Sequence, residues 1–242
     1  MKNDNSLKNA EEKNIKLRVK FSKYGLMKYI GHLDCMRYFQ KLIRRTGVDI
    51  AYSGGFSPHQ IMSFAQPLGV GVESEGEYMD IEVRTAEGSK QLIERLNSNR
   101  AEGIEIMDVV KLPEKCGNAM ASVAIADYLV SFRKERKPSF DLGNAIAKFN
   151  SLKEAVIEKK TKKGSREINL KEFVYKLELR ENDKIFMRLC AGSGTNIKPE
   201  LVLSAICKMN ALDDFDEDDV FIRRLELYDE KGRALIEAGE HF

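Results

Sequence analysis

The sequence is poor in the residues that bind metals: its 242 residues hold four cysteines and three histidines. Cys35, Cys116, Cys190 and Cys207 stand far apart, with no Cys-x-x-Cys pair and no histidine at ligand spacing. That excludes the common zinc patterns and reads as reduced thiols buried like small hydrophobes. No metal and no cofactor is expected. Apolar runs are short as well, none reaching 18 residues, so no membrane partner is expected. The opening MKNDNSLKNAEEKN has no apolar segment of the kind a secretory signal needs. Residues 1–14 are therefore expected to be a disordered polar tail on a cytoplasmic protein. The acidic run DDFDEDD, Asp213 to Asp219, lacks the glycine and terminal glutamate of a calcium loop and reads as a solvated turn.

What the chain does have is uneven charge. Its net charge of +2 conceals nine Lys/Arg against two acids between Lys16 and Met62. Lys153 to Lys171 holds seven bases against three acids, and Asp213 to the end reverses to eleven acids against four bases. Two local regions are thus basic enough to suit a polyanion.

Periodicity gives the organisation. KLRVKFS, Lys16 to Ser22, alternates as a strand, with Leu17, Val19 and Phe21 set against Arg18 and Lys20. HLDCMRYFQKLIRRTG follows as a helix stopped by Gly47. Met36, Phe39, Leu42 and Ile43 share one arc of it, and Arg37, Lys41, Arg44 and Arg45 the other. Strands are expected at VDIAYS, EYMDIEV and GIEIMDVVKL, with a helix SKQLIERLN capped by Ser89. Strand, helix, strand, strand, helix, strand is the order of a ferredoxin-like unit. The second half repeats it through SVAIADYLVSF, DLGNAIAKFN with Asp141 as cap, AVIEKKT, an EFVYKLELR/KIFMRLC hairpin, KPELVLSAICKM with Pro199 in its first turn, and DVFIRRLELYD. The expected architecture is α+β: two tandem ferredoxin-like (βαββαβ) domains with antiparallel sheets, 15–112 and 122–242, joined by a linker over 113–121.

Four places carry candidate chemistry. The basic helix face fits a phosphate backbone, and its bland counterpart is a solvated face. The stretch AYSGGFSPHQIMSFAQPLGVG, residues 51–71, combines glycines that let a backbone approach a ligand with aromatics that stack on bases. Tyr52, Gly55, Phe56, Ser57 and His59 are its candidate contacts, with a tight turn packed on the core as the alternative. Phe56, Ile61, Phe64 and Leu68 are expected to be buried, aiming the polar residues between them at one concave face shared with His32. His32 and His59 are the two candidate acid/base groups. KKTKKGSREI contributes Lys160, Lys162, Lys163 and Arg166 as a basic finger, and CAGSGTNIKPE places Gly192, Gly194, Thr195 and Lys198 ahead of a helix, as an anion loop would. That loop lacks the lysine pattern of a nucleoside triphosphatase.

The span FSKYGLMKYIGHLDCMRYFQKLIRRTGVDIAYSGGFSPHQIMSFAQPLGVGVESEGEYMDIEV resembles the bacterial radical-SAM-linked domain of unknown function numbered 2344, with weaker likeness through KKGSREINL to GTNIKPE. That resemblance implies a radical-SAM protein as partner. This sequence has no Cys-x-x-x-Cys-x-x-Cys of its own, so it is expected to be the free-standing accessory. At the level of fold it is similar, distantly, to the RAMP-type RNA-binding proteins. The expected function is a non-catalytic RNA-binding module that presents substrate to a separately encoded radical-SAM protein. The alternatives are a metal-independent endoribonuclease using His32 or His59, and a protein–protein adaptor without RNA.

Overall fold

Leu17, Val19 and Phe21 alternate with Arg18 and Lys20 along the first strand, β1 (Ile15–Lys23), and all three apolar side chains are buried. This computed structural model describes residues 13–161 and 164–242. Helix α1 (His32–Thr46) buries Cys35, Phe39, Leu42 and Ile43 against β1. It ends at Gly47, whose φ of 67° lets its amide reach the Arg44 carbonyl. Short β2 (Met62–Phe64), long β3 (Glu73–Val83), α2 (Ser89–Ser98) and β4 (Ile104–Lys111) complete the first half. The second half runs α3 (Ala119–Ser122), β5 (Ile125–Phe132), α4 (Leu142–Ser151), β6 (Val156–Thr161), β7 (Gly164–Asn169), β8 (Val174–Arg180), β9 (Lys184–Cys190), α5 (Pro199–Met209) and β10 (Val220–Tyr228). Asp141 caps α4, its carboxylate accepting the Asn144 amide at 2.6 Å.

The strands build one large, mostly antiparallel sheet in the order β4-β1-β3-β10-β5-β9-β8, with β2 paired to β3. Since β1 runs along one edge of β3, β2 and β10 share the other. Met62–Phe64 takes Met79–Ile81, and Arg223 and Arg224 lie parallel to Glu73 and Ser74. One sheet therefore replaces the two separate sheets expected, and β10–β3 is its parallel exception. β6 and β7 pair only with each other.

Three local expectations are corrected. The segment 48–53 is not a ladder strand: Ile50 bridges Val83 and Tyr52 bridges Gln60 singly, because β2 occupies the β3 edge beside it. Ser89 is the first residue of α2 rather than its cap; Gly88 takes the cap position, and Ser89 exchanges hydrogen bonds with Phe242. The acidic run is not wholly solvated, since Asp219 is buried, accepts the Asp216 amide and pairs with Arg136 at 3.0 Å.

Where β3 meets β10, both strands bulge. Pairing with β1 shifts across Glu75–Gly76, and pairing with β5 shifts at Leu225. Gly76 fills this contact: a Cβ there would stand 2.6 Å from the Leu225 carbonyl oxygen and 2.7 Å from the Glu226 Cα. Both are backbone atoms and cannot swing away. Gly76→Ala is expected to cost about 1–3 kcal/mol through overpacking, read as a fall in unfolding midpoint. Gly117→Ala, whose Cβ would meet only the Ser122 hydroxyl at 3.7 Å, is the control expected to change little.

Candidate nucleic-acid interface

The cations of α1 stand where the wheel puts them: Arg37, Lys41, Arg44 and Arg45 are exposed opposite the buried face. They are not equivalent. Arg37 is paired with Asp34 at 3.1 Å, and Arg45 donates to the Asn99 carbonyl at 3.2 Å. Arg44 leans on the Gln40 carbonyl at 3.4 Å. Gln60 donates to that same carbonyl at 3.3 Å, from the middle of the glycine-rich stretch, just past the turn that Ser53 and His59 close. One carbonyl thus receives both the basic helix face and the loop.

The loop is held by its own hydrogen bonds. The Ser53 amide donates to the His59 carbonyl at 2.9 Å, and the His59 amide to Ser53 Oγ at 3.1 Å. Ser53 Oγ also lies 2.8 Å from His59 Nδ1, and the Ser57 carbonyl lies 3.5 Å from the same nitrogen. Gly55 adopts φ 95° with open space where a Cβ would be, so its need is conformational. Phe64 is buried and Ile61 and Leu68 are half-buried, but Phe56 is fully exposed, against the expectation that it would pack inward. The ring stands on the turn around Gly55, which the Ser53–His59 bonds close. Tyr52 is exposed beside it in sequence.

His32 is exposed in the first turn of α1, its ring edge-on to Phe64 at 5.3 Å. His59 turns to Ser53, and no hydrogen bond links the two histidines. The loop at 192–198 reaches the glycine-rich stretch 51–71 from the other side, Gln66 Nε2 donating to Asn196 Oδ1 at 2.9 Å. Gly192 there has a packing reason, because a Cβ would collide with the Val123 carbonyl. Gly194 and Lys198 are exposed, and the Thr195 carbonyl faces Cys190 Sγ. Arg166 sits on β7 opposite Lys159 of β6, in the hairpin between α4 and β8, a two-stranded sheet apart from the large one. Lys160 lies in β6, and Lys162 and Lys163 lie outside the described residues.

Sequence reasoning missed the buried charges. Arg18, expected on a solvent face, is 0% exposed and grips Asp80 with two bonds of 2.8 and 3.0 Å. Asp80 also accepts the Ala119 amide, drawing the 113–121 stretch onto the sheet. Arg224 clasps Glu77 at 2.8 and 2.6 Å and donates to the Gln66 carbonyl. Arg188 holds Asp127 the same way, with the Tyr228 hydroxyl donating to that carboxylate. Burial and the Asp127 carboxylate push the Tyr228 phenol up to about 12. Near Arg224, burial lowers the Lys23 ammonium, and it pushes the Cys35 thiol up to about 11, leaving that sulfur an unreactive thiol at neutral pH. Among the described residues no group of three or more His, Cys, Asp or Glu is placed to hold a metal ion, and no helix is long and apolar enough to cross a membrane.

Fold and site together define a mixed α/β protein with exposed cations on α1 and exposed rings on the glycine-rich loop. The chain belongs to the bacterial family described as "Uncharacterized protein conserved in bacteria (DUF2344)", whose model matches residues 16–199. No curated protein matches it.

Glu200, in the first turn of α5, has a buried carboxylate oxygen without a hydrogen-bond partner, and burial raises its carboxyl above the ordinary 4.5. A raised acid stabilises the fold fully below its unfolded value, and that contribution is lost as pH rises through the folded one. Thermal midpoints should therefore decline from near pH 4.5 upward more steeply in the native protein than in Glu200→Gln. Parallel profiles of the two would show that Glu200 ionises freely.

Proposed function

We propose that this chain is an RNA-binding module without catalysis of its own, which holds single-stranded RNA across α1 and the glycine-rich loop for a separately encoded radical-SAM protein. The observation that carries the RNA reading is the shared Gln40 carbonyl, which joins Arg44 to the loop bearing Tyr52, Phe56 and His59. Cations beside exposed rings suit single strands: the cations neutralise phosphates and the rings stack on bases of any identity. Gln66 continues the surface to the 192–198 loop. The radical-SAM partner rests on the resemblance carried by residues 17–83.

The finer architecture supports the same reading. β4-β1-β3-β2 and β10-β5-β9-β8 repeat one strand order, each with a helix after its first and third strands, which is the plan of a ferredoxin-like unit. We read the chain as two such units joined edge to edge, with β6–β7 inserted into the second. The adaptor reading is favoured by one observation: Leu26, Leu33 and Val70 are exposed, and Gly71 is tied to the Lys28 carbonyl at 2.9 Å.

Binding of a single-stranded RNA to Lys41→Glu/Arg44→Glu, followed across salt, tests the proposal. Each lost phosphate contact removes about 0.7 from the log–log salt slope, so the double variant should lose about 1.4. Stability should stay within about 0.5 kcal/mol per site, because both side chains are exposed. The RNA should be recovered intact. An unchanged slope removes α1 from the surface, a cleaved RNA favours the endoribonuclease, and no binding at low salt leaves the adaptor.

A further inference from the structure

A second cluster of rings and cations lies just before α1, where the first half meets the second. The turn Gly25–Tyr29 presents Lys28 and Tyr29. The Lys28 ammonium lies 5.5 Å from the Tyr29 ring centre and 5.8 Å from that of Phe221 on β10. Both rings are open to water, Tyr29 at 59% and Phe221 at 47% exposure. The Arg133 guanidinium lies 4.2 Å over Phe221, and its Nε is fixed by the Asp218 carbonyl. Beside them opens a cavity of about 270 Å³, lined by Lys28, Leu129, Lys184, Phe221, Arg223 and Glu73.

The electrostatics of this cleft favour an anion. Its lining carboxylate, Glu73, is already engaged by Lys28 at 3.3 Å and Arg223 at 3.0 Å. Arg223 also pairs with Glu75 at 2.9 Å. Lys184 is exposed and brings a further positive charge, with Arg133 behind the ring. Flat cations and aromatic faces together match a base, and the surplus ammonium a phosphate.

We propose that this cleft is a second subsite for single-stranded RNA, in which Tyr29 and the Phe221–Arg133 stack take bases and Lys184 and Lys28 meet phosphates. It rests on the RNA reading above and extends its path, because Tyr29 lies three residues before the first residue of α1.

The sequence contains no tryptophan, so a single introduced indole reports on its own site. Phe221→Trp and Phe56→Trp are titrated separately, in the full chain, with a uridine dodecamer and with AMP. The expected result is that the dodecamer quenches the Phe221→Trp protein and AMP at equal nucleotide concentration does not, with the dodecamer's affinity weakened about tenfold by adding Lys184→Glu. Quenching in Phe56→Trp but not in Phe221→Trp overturns the cleft and leaves the loop surface standing. Quenching in Phe221→Trp alone keeps the cleft and removes the loop. Silence in both removes both, and equal quenching by AMP overturns the assignment to an RNA strand.

Discussion

The parallel pairing of β10 with β3 is the constraint on which the rest of the molecule depends. Its ladder is only Arg223 beside Glu73 and Arg224 beside Ser74. So short a ladder needs side chains to fix it. Arg224 reaches across to Glu77, Arg223 to Glu73 and Glu75, and Glu226 accepts from both Lys20 and the Tyr78 hydroxyl. Taking a guanidinium and a carboxylate out of water costs several kcal/mol per ion, recovered only when the geometry is good and the remaining donors are used. Arg224 meets those terms with two bonds to Glu77 and one to the Gln66 carbonyl. What it contributes is direction: an apolar pair tolerates sliding, and a two-pronged ion pair does not. Through that Gln66 carbonyl the same arginine anchors the end of the glycine-rich stretch.

Much of the local structure was legible in the sequence. Alternation located β1, the wheel divided α1 correctly, Asp141 and Pro199 marked the starts of α4 and α5, and Gly47 marked a stop. These signals succeed because their physics spans three or four residues. The failures depend on distant partners. Arg18 reads as a solvent-facing residue because its carboxylate is 62 positions away, and Arg224 finds its own 147 away. The strand expected at 48–53 satisfies local propensity, yet Met62–Phe64 occupies the edge it would have used. The candidate site was readable as residue types, and the arrangement of those residues was not: nothing in the chain shows that Gln60 will dock on Gln40, or that Phe56 will face water.

The buried pairs also explain why net charge is a poor guide here. Asp80 and Glu77 are each consumed by an arginine inside the fold, and Asp127 and Asp219 by Arg188 and Arg136 at its margin. Such pairs are close to neutral from outside. The field at the surface is therefore set by charges left over. On α1 these are Lys41, Arg44 and Arg45, set against the single Asp34–Arg37 pair. A formal charge of +2 for the whole chain is thus compatible with a strongly cationic strip on one helix.

An exposed phenylalanine is a cost when nothing covers it. Leaving Phe56 in water forgoes about 1.5–3 kcal/mol of burial. A loop free to rearrange would fold the ring back, but the bonds between Ser53 and His59 close the turn, Gly55 fixes its reversal, and Gln60 pins its exit to α1. The ring is thus displayed by backbone already ordered in the absence of any ligand. Ordering flexible loops is one of the main terms that oppose binding. On the RNA reading proposed above, a base stacking on Phe56 would meet a turn that the Ser53–His59 bonds already close, so little of that ordering cost is left to oppose it.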